Sequence, residues 1–231
     1  MNIALILSGG TGSRLGADIP KQYLEVKKRP VITWSMERLF LHEQIDAVQI
    51  VADVSWHSRI EGWIASYDKK VKFRGFSLPG DNRQLSILNG LTDISQYAVE
   101  TDYVLIHDAA RPCLSEKQVA DCLSAAEGND GVVPVLPMKD TVYLSADKKK
   151  ITSLLTRSEV FAGQAPEVFV LGKYLKANRD LLPDRILSIQ GSTEPAVLAG
   201  MDMVMTAGDE QNFKITTKAD LERFRNMTEL A

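Results

Sequence analysis

The chain has 231 residues, of which 45% are hydrophobic and 25% are charged, and its formal net charge is −3. This composition is that of an ordinary globular protein, long enough for one large α/β domain or two small ones. The slightly acidic balance excludes a basic surface for general nucleic-acid binding, and no apolar run approaches the roughly 18 residues that a membrane span needs.

The first 135 residues alternate between short apolar runs and amphipathic stretches. The runs predicted to be strands are Ile3–Leu7, Ala47–Ala52, Val71–Arg74, Tyr103–His107 and Gly131–Val135. The stretches predicted to be helices are Val31–Leu41, Ser55–Tyr67, Gln84–Leu91 and Ser115–Ala126. Apolar strands that alternate with helices predict an α/β fold with a single doubly wound, mostly parallel sheet of the Rossmann-like type.

The pattern changes after Pro137. Two β-prone segments, Thr141–Leu144 and Ile151–Leu155, flank a charged stretch, which predicts a hairpin that leaves the sheet. We expect residues 139–164 to form a protruding β-arm, inserted in one domain that spans residues 1–231, with a binding or dimerisation role. The α/β rhythm then returns with a strand at Met203–Met205 and a last helix capped at Thr217.

Cys113 and Cys122 are the only cysteines, and they lack the spacing of a metal site. We expect buried thiols in a reducing compartment. Because Met1-Asn2-Ile3 leads directly into the first strand without a targeting segment, we expect the protein to be cytoplasmic.

A glycine-rich segment follows the first strand, at the strand end where α/β proteins bind ligands. Gly9, Gly10 and Gly12 allow backbone N–H groups to turn around an anion, and Arg14 and Lys21 could hold a polyphosphate from two sides. The segment is neither a dinucleotide fingerprint nor a P-loop, because the spacing and the GK[ST] sequence are missing. On these residues alone, a glycine turn with solvated cations remains an alternative.

Six short motifs follow one another along the chain and together identify a resemblance. They are Gly9-Gly10-Thr11-Gly12-Ser13-Arg14 with Pro20-Lys21-Gln22; Gly80-Asp81-Asn82-Arg83-Gln84-Leu85-Ser86 with Asn89-Gly90-Leu91; His107-Asp108-Ala109-Ala110-Arg111-Pro112; Pro134-Val135 with Lys139-Asp140-Thr141; Arg157 with Gln164-Ala165-Pro166-Glu167 and Phe169; and Asn212-Phe213-Lys214-Ile215-Thr216-Thr217 with Asp220-Leu221. In this order the chain resembles the sugar-nucleotidyltransferase superfamily. More closely, it resembles the cytidylyltransferases that act on 2-C-methyl-D-erythritol 4-phosphate or on ribitol 5-phosphate.

The resemblance implies attack by a phosphate monoester on the α-phosphorus of CTP, with loss of pyrophosphate. The monoester is already an anion near neutral pH, since its second pKa is about 6, so no catalytic base is needed. The resemblance makes Arg14, Lys21 and Lys214 the catalytic cations. It assigns CTP binding to Ser8, Gly9, Gly10, Thr11, Gly12, Gly80, Asp81, Arg83, Ser86 and Asp108.

The expected cofactor is Mg²⁺, and Asp108 either helps to organise it through water or caps the following turn. Arg111 is expected to order that turn, and His107 to be a packed residue at the strand end. Thr141 and Arg157 on the arm are expected to bind the acceptor phosphate, in the family often in the neighbouring subunit's site. We therefore expect CTP and a small polyol phosphate as substrates and a homodimer as the assembly.

The chain departs from the methylerythritol pattern at three places near the acceptor. Gly191-Ser192-Thr193-Glu194-Pro195 stands where a Thr-Asp-acid stretch is usual, Thr156 replaces an Asp, and Ala165 replaces the Thr of QTPQ. These changes leave the choice between the two acceptors open. A nucleotidyltransferase for another acceptor, a non-catalytic nucleotide-binding protein and an NAD-dependent oxidoreductase are the other classes considered, the last disfavoured by the missing fingerprint.

Overall fold

A computed structural model of the chain describes residues 1–10 and 19–229. Its strands are β1 (Asn2–Leu7), β2 (Glu25–Val26), β3 (Arg29–Pro30), β4 (Ala47–Val51), β5 (Phe73–Ser77), β6 (Tyr103–Asp108), β7 (Gly131–Pro137), β8 (Tyr143–Leu144), β9 (Ser153–Leu154), β10 (Phe161–Gly163), β11 (Glu167–Val170) and β12 (Met203–Ala207). Its α-helices are α1 (Val31–Leu41), α2 (His57–Ile64), α3 (Arg83–Ile94), α4 (Glu116–Ala126), α5 (Leu171–Arg179), α6 (Glu194–Leu198) and α7 (Lys218–Glu229).

Strand β1 lies in the middle of the main sheet, parallel to β4 on one side and to β6 on the other. Strand β5 extends the parallel part beyond β4. The residues Ile3 to Ile6 are completely buried, which is why this strand is a continuous apolar run rather than an alternating one. The predicted parallel core of the sheet is confirmed.

Strand β11 gives the sheet its mixed character, because it pairs antiparallel with both β6 and β7. Strand β7 also pairs antiparallel with β10 and parallel with β12. The sequence pattern did not indicate β10 or β11, which bring the chain back from the arm into the sheet.

Helices cover both faces of the sheet, as the doubly wound prediction requires. One buried cluster includes side chains of α1, α2 and α4, and the other includes side chains of α3, α5 and α6. Burying each large aliphatic or aromatic side chain of these clusters contributes about 1.5–3 kcal/mol to stability. Within residues 1–10 and 19–229, no helix has the length and apolarity to cross a membrane.

The predicted hairpin at the arm is present as β8 and β9, in which Tyr143 pairs with Leu154 and Leu144 with Ser153. Its apolar side chains remain outside the core, since Tyr143 is 54% exposed and Leu154 is 66% exposed. The arm therefore carries apolar surface that its own chain leaves uncovered.

One predicted strand is displaced along the sequence. The third strand was expected at Val71–Arg74, but β5 runs from Phe73 to Ser77. Val71 has a φ of 53°, a left-handed conformation that is strained for a β-branched residue, and its side chain is exposed. Val71, which was predicted to begin the strand because it is β-branched, therefore belongs to the turn before it.

Candidate active site

A cavity of about 390 Å³ opens beside the carboxyl ends of β1 and β6 and the first turn of α3. The predicted site residues that line it are Gly9, Gly10, Lys21, Gly80, Asp81, Arg83, Ser86, Asp108 and Lys214. Four segments that are distant in the sequence thus meet at one place. The position agrees with the rule that ligands bind beyond the carboxyl ends of the strands in open α/β sheets.

Four other predicted nucleotide-site residues, Ser8, Thr11, Gly12 and Arg14, are not in this set of described residues. Thr11, Gly12 and Arg14 fall in residues 11–18, outside the described residues. Ser8 is buried behind the glycines, where its hydroxyl donates to the Tyr23 hydroxyl at 2.8 Å.

The two predicted acceptor residues are on the arm segment and are not part of the lining of this cavity. Among the described residues that line the cavity, neither Thr141 nor Arg157 is found. Arg157 instead donates through Nη1 to the carbonyl of Lys139 at 3.0 Å. The structure therefore brings the nucleotide residues together within one chain, but not the acceptor residues.

Two glycines allow backbone segments to approach each other closely at the cavity wall. A Cβ on Gly9 would lie 2.5 Å from Cβ of Pro79, and a Cβ on Gly80 would lie 2.4 Å from Cβ of Leu85. Either contact is too short for a real side chain. The wall between the ends of β1 and β5 therefore requires glycine at both positions.

The Gly80–Ser86 turn is fixed by its own polar groups. The Gly80 N–H donates to Oγ of Ser86 at 3.0 Å, and that hydroxyl donates to the carbonyl of Asn82 at 2.9 Å. Asn82 caps α3, because its Oδ1 accepts from the N–H of Leu85 at 2.7 Å. The Ser86 hydroxyl thus shapes the turn, and Asp81 presents its exposed side chain next to it.

Asp108 lies among three cations at the end of β6. Its Oδ1 accepts from Nε and Nη2 of Arg83 at 3.2 and 3.1 Å, and its Oδ2 accepts from Nζ of Lys214 at 3.0 Å. Nε of Arg111 lies 3.5 Å from the same Oδ2. Burial alone would raise the pKa of the Asp108 carboxyl, but these cations outweigh it and hold the pKa well below its usual range. The carboxylate remains ionised and fixes the positions of Arg83 and Lys214.

The charges at the cavity favour a polyanion. Lys21, Arg83 and Lys214 contribute three cations to its lining, against the carboxylates of Asp81 and Asp108. Arg111 also pairs with Asp108 from outside the lining. Together with the glycine backbone, this arrangement suits the phosphates of a nucleotide.

The comparison with known proteins agrees with this geometry. The family model described as IspD, 2-C-methyl-D-erythritol 4-phosphate cytidylyltransferase, matches residues 2–228. The chain belongs to this family.

Members named for two different acceptors are similar to the chain over nearly its full length. A ribitol-5-phosphate cytidylyltransferase of Lactiplantibacillus plantarum is 31% identical over 226 residues, which cover 96% of this chain and 95% of that protein. A 2-C-methyl-D-erythritol 4-phosphate cytidylyltransferase of Tolumonas auensis is 31% identical over 220 residues, covering 94% and 92%. The crystal structure of 4-diphosphocytidyl-2C-methyl-D-erythritol synthase from Anaerococcus prevotii has the same fold, with a TM-score of 0.84, 22% identity and coverage of 99% and 96%.

His107, in the HDAARP segment that the resemblance rested on, is completely buried. Its Nε2 lies 3.1 Å from the carbonyl oxygen of Arg111, and burial lowers its pKa to about 4. The ring is therefore neutral at pH 7 and holds the turn after β6. This geometry agrees with the prediction that His107 is a packed residue.

Glu167 is a buried acid beside the site to which the sequence analysis assigned no role. It stands at the last position of the QTPQ pattern and lies next to Ile106 in the sheet. Its carboxylate accepts from the hydroxyls of Ser192 and Thr193, and burial raises its pKa even though Arg83 opposes the shift. Segment 191–195, where a Thr-Asp-acid stretch is usual, is thus contacted by a carboxyl group from β11. In the sequence, this residue could have been noticed because Glu167 stands where the QTPQ pattern has glutamine.

A divalent cation would find few protein ligands among the described residues. Within residues 1–10 and 19–229, no group of three or more His, Cys, Asp or Glu side chains could hold a metal ion. Both oxygens of Asp108 already accept from cations. Mg²⁺ usually keeps several waters and is held by one or two carboxylates and by substrate phosphates, and the described carboxylates that line the cavity are those of Asp81 and Asp108.

Proposed function

We propose that the protein transfers CMP from CTP to the phosphate of a small polyol phosphate and releases pyrophosphate. One observation carries the proposal. The glycine backbone, Lys21, Lys214 and the Gly80–Ser86 turn converge on a single cavity in a chain of the cytidylyltransferase family. A phosphate-binding wall and a separate turn that can contact a base and ribose are what CTP requires.

In the proposed reaction, a phosphate oxygen of the acceptor attacks the α-phosphorus, and the bond from that phosphorus to pyrophosphate breaks. The attacking monoester is mostly ionised at neutral pH because its second pKa is about 6. No proton has to be removed from it, which is consistent with the neutral, buried state of His107. Catalysis then depends on positioning two anions and stabilising the charge that develops between them.

Lys21 and Lys214 are the described cations proposed to stabilise that charge, with Arg14 as a further candidate. Lys214 is held by Asp108 at 3.0 Å, so its ammonium group is already positioned when substrate enters. Arg83 shares the same carboxylate and lines the cavity. Asp108 therefore acts in the proposal as the residue that orients both cations, and such preorganisation is a main source of catalytic power.

Mg²⁺ is proposed as the cofactor, carried by the triphosphate. When bound there, it would neutralise phosphate charge and so make the pyrophosphate a better leaving group. Lys21, Lys214 and the glycine backbone would hold the phosphates around it. Asp108 is proposed to help organise this ion through water, since its oxygens already accept from Arg83 and Lys214.

The acceptor is proposed to be 2-C-methyl-D-erythritol 4-phosphate or ribitol 5-phosphate, the acceptors for which the similar proteins are named. Thr141 and Arg157 do not line the cavity of their own chain, and the hairpin between them exposes Tyr143 and Leu154. Both features favour a homodimer in which the arm of one chain packs on the partner and brings Thr141 and Arg157 to the partner's cavity. The free thiols of Cys113 and Cys122 favour a reducing compartment such as the cytoplasm.

The test is to incubate the protein with CTP and Mg²⁺ and with each polyol phosphate in turn, and to identify the products by mass. The proposal expects a cytidine diphosphate polyol and one pyrophosphate per turnover with at least one of the two acceptors. A non-catalytic nucleotide-binding protein would bind CTP and yield neither product. A product formed only with a hexose 1-phosphate or phosphocholine would leave the CTP half of the proposal standing and overturn the assignment of the acceptor.

A further inference from the structure

A short 3-10 turn, Lys21–Tyr23, contacts the described start of the glycine segment at Ser8 and Gly10. Lys21 and Gln22 both line the cavity, and Gln22 and Tyr23 are each only 3% exposed. One turn therefore supplies a cation to the site together with two polar side chains that are almost fully buried. The cation was predicted from the sequence, and the two polar side chains had no assigned role.

The carboxamide of Gln22 bonds to two backbone carbonyls of the glycine segment. Its Nε2 donates to the carbonyl oxygen of Ser8 at 2.7 Å and to that of Gly10 at 2.8 Å. An amide nitrogen has two hydrogens, so both are used. Because the C=O and the N–H of a trans peptide point in opposite directions, the bond to the Ser8 carbonyl turns the N–H of Gly9 away from Gln22.

Tyr23 fixes the same strand end from a second direction. Its hydroxyl donates to the carbonyl of Ser8 at 3.2 Å and accepts from Oγ of Ser8 at 2.8 Å. The Trp56 ring stacks on the Tyr23 ring with centroids 3.8 Å apart. The turn that bears Lys21 and the strand end that bears Gly9 are thus joined in one buried hydrogen-bonded unit.

We propose that Gln22 is a positioning residue, whose carboxamide holds the Ser8 and Gly10 carbonyls so that the backbone of the glycine segment and Lys21 meet the nucleotide phosphates in a fixed geometry. This inference rests on the proposed function. Gln22 acts through the backbone and through Lys21, and it contributes no charge of its own. Its essential property is a donor with two hydrogens at an almost fully buried position.

The decisive variant is Gln22→Glu, which keeps the shape and replaces the two donors by a carboxylate oxygen. A carboxylate offers only acceptors, and it would face two carbonyl oxygens inside the protein. The matched control is Gln49→Glu on β4, because Gln49 is also 3% exposed and also donates through Nε2, to Oγ of Ser77 at 3.0 Å. Both variants bury a carboxylate, but only the first changes the glycine segment.

Two measurements are made on wild type and both variants. For Gln22→Glu we expect KM for CTP to rise at least about tenfold, the loss expected for a buried polar group left without its partner. We expect KM for the acceptor to change much less, by about twofold or less, since the residues proposed to bind the acceptor, Thr141 and Arg157, lie on the arm and not on this turn. Amide hydrogen exchange at Gly9 and Gly10, followed without ligand, should become faster in Gln22→Glu and unchanged in Gln49→Glu.

Gln22→Leu, which removes the donors without adding charge, decides the question by the same measurements if Gln22→Glu does not fold. The proposal is overturned if the exchange at Gly9 and Gly10 and the KM for CTP both remain within about twofold of wild type, the spread ordinary for a change without effect. If exchange accelerates while wild type shows no binding of CTP, the positioning of the glycine segment is correct and the proposed function is wrong.

Discussion

At the scale of single residues, the site depends on a few side chains that are fixed before substrate arrives. Asp108 is the clearest case, because it is 7% exposed and its oxygens contact Arg83, Lys214 and Arg111. A buried carboxylate is costly unless it is fully paired, and here the pairing also sets the positions of two cations that line the cavity. The same ion cluster therefore bears on the stability of the fold and on the proposed catalysis.

Lys21 gives a direct test of the catalytic assignment at this scale. We expect Lys21→Ala to retain the fold and to lose about 10²–10³-fold in kcat, the range seen when one preorganised group that stabilises transition-state charge is removed. The exposed Lys70→Ala is the control and should keep wild-type kinetics. Steady-state rates and circular dichroism check both expectations, and a near-normal kcat in Lys21→Ala would remove this lysine from the mechanism.

His107 gives a prediction on pH and stability. Its pKa is lowered from 6.5 to about 4, so the unfolded chain takes up a proton at a higher pH than the folded protein does. The stability that comes from the neutral ring is complete above pH 6.5 and is lost as the pH falls towards 4. Between pH 7 and pH 4.5 this linkage should remove about 2 kcal/mol from the free energy of unfolding.

Urea unfolding at the two pH values measures this loss. In His107→Gln, whose side-chain amide can still donate to the Arg111 carbonyl, the loss should be about 2 kcal/mol smaller than in wild type. Equal losses in the two proteins would show that His107 titrates normally in the folded state.

At the scale of elements, the sequence correctly predicted the strands and helices that bury a long apolar run or an apolar face. The strands β1, β4, β6 and β7 and the helices α1, α3 and α4 lie where the pattern placed them, because each buries a continuous apolar run or an amphipathic face. Strand β11 was missed because it has only four residues and begins with the buried Glu167. Its place depends on pairing with β6 and β7, which local sequence does not contain.

The candidate site could be predicted only in part, because some of its features are sequence motifs and others depend on contacts in space. The glycine, Gly80–Ser86 and Lys214 segments were found through a resemblance that extends along the chain, and the structure brings them to one cavity. The two bonds of Gln22 could not be predicted, because they depend on where the carbonyls of Ser8 and Gly10 lie in space. The role of Thr141 and Arg157 stays a prediction, since it depends on a second chain.

The arm gives the prediction at this scale. Changing the exposed Tyr143, Leu144 and Leu154 to Ser should shift a homodimer towards monomer, because the apolar surface proposed to pack on the partner is removed. KM for the acceptor should rise about tenfold or more in the same variant, while KM for CTP stays within about twofold. Analytical ultracentrifugation and steady-state kinetics measure the two effects, and a wild type that is monomeric and fully active would contradict the role of the arm.

At the scale of the whole molecule, one sheet positions every described part of the nucleotide site. The ends of β1 and β6 and the first turn of α3 meet at the same edge, and Ile215 ties the segment of Lys214 to Ala110 by a backbone bond of 2.8 Å. Helix α7 secures that last segment, because Leu221 and Phe224 pack with Ile215. The fold thus holds cations from the first and last thirds of the chain around one cavity.

The most direct test of the central claim is the initial rate of pyrophosphate release with CTP, UTP, ATP or GTP, measured with and without a polyol phosphate acceptor. We predict release that requires the acceptor and that is far faster with CTP than with ATP or GTP, because a turn proposed to pair with a pyrimidine would leave polar groups unpaired with a purine. Release at equal rates with all four triphosphates would contradict the role of the Gly80–Ser86 turn. No release with CTP and either polyol phosphate would contradict the proposed transfer to these acceptors.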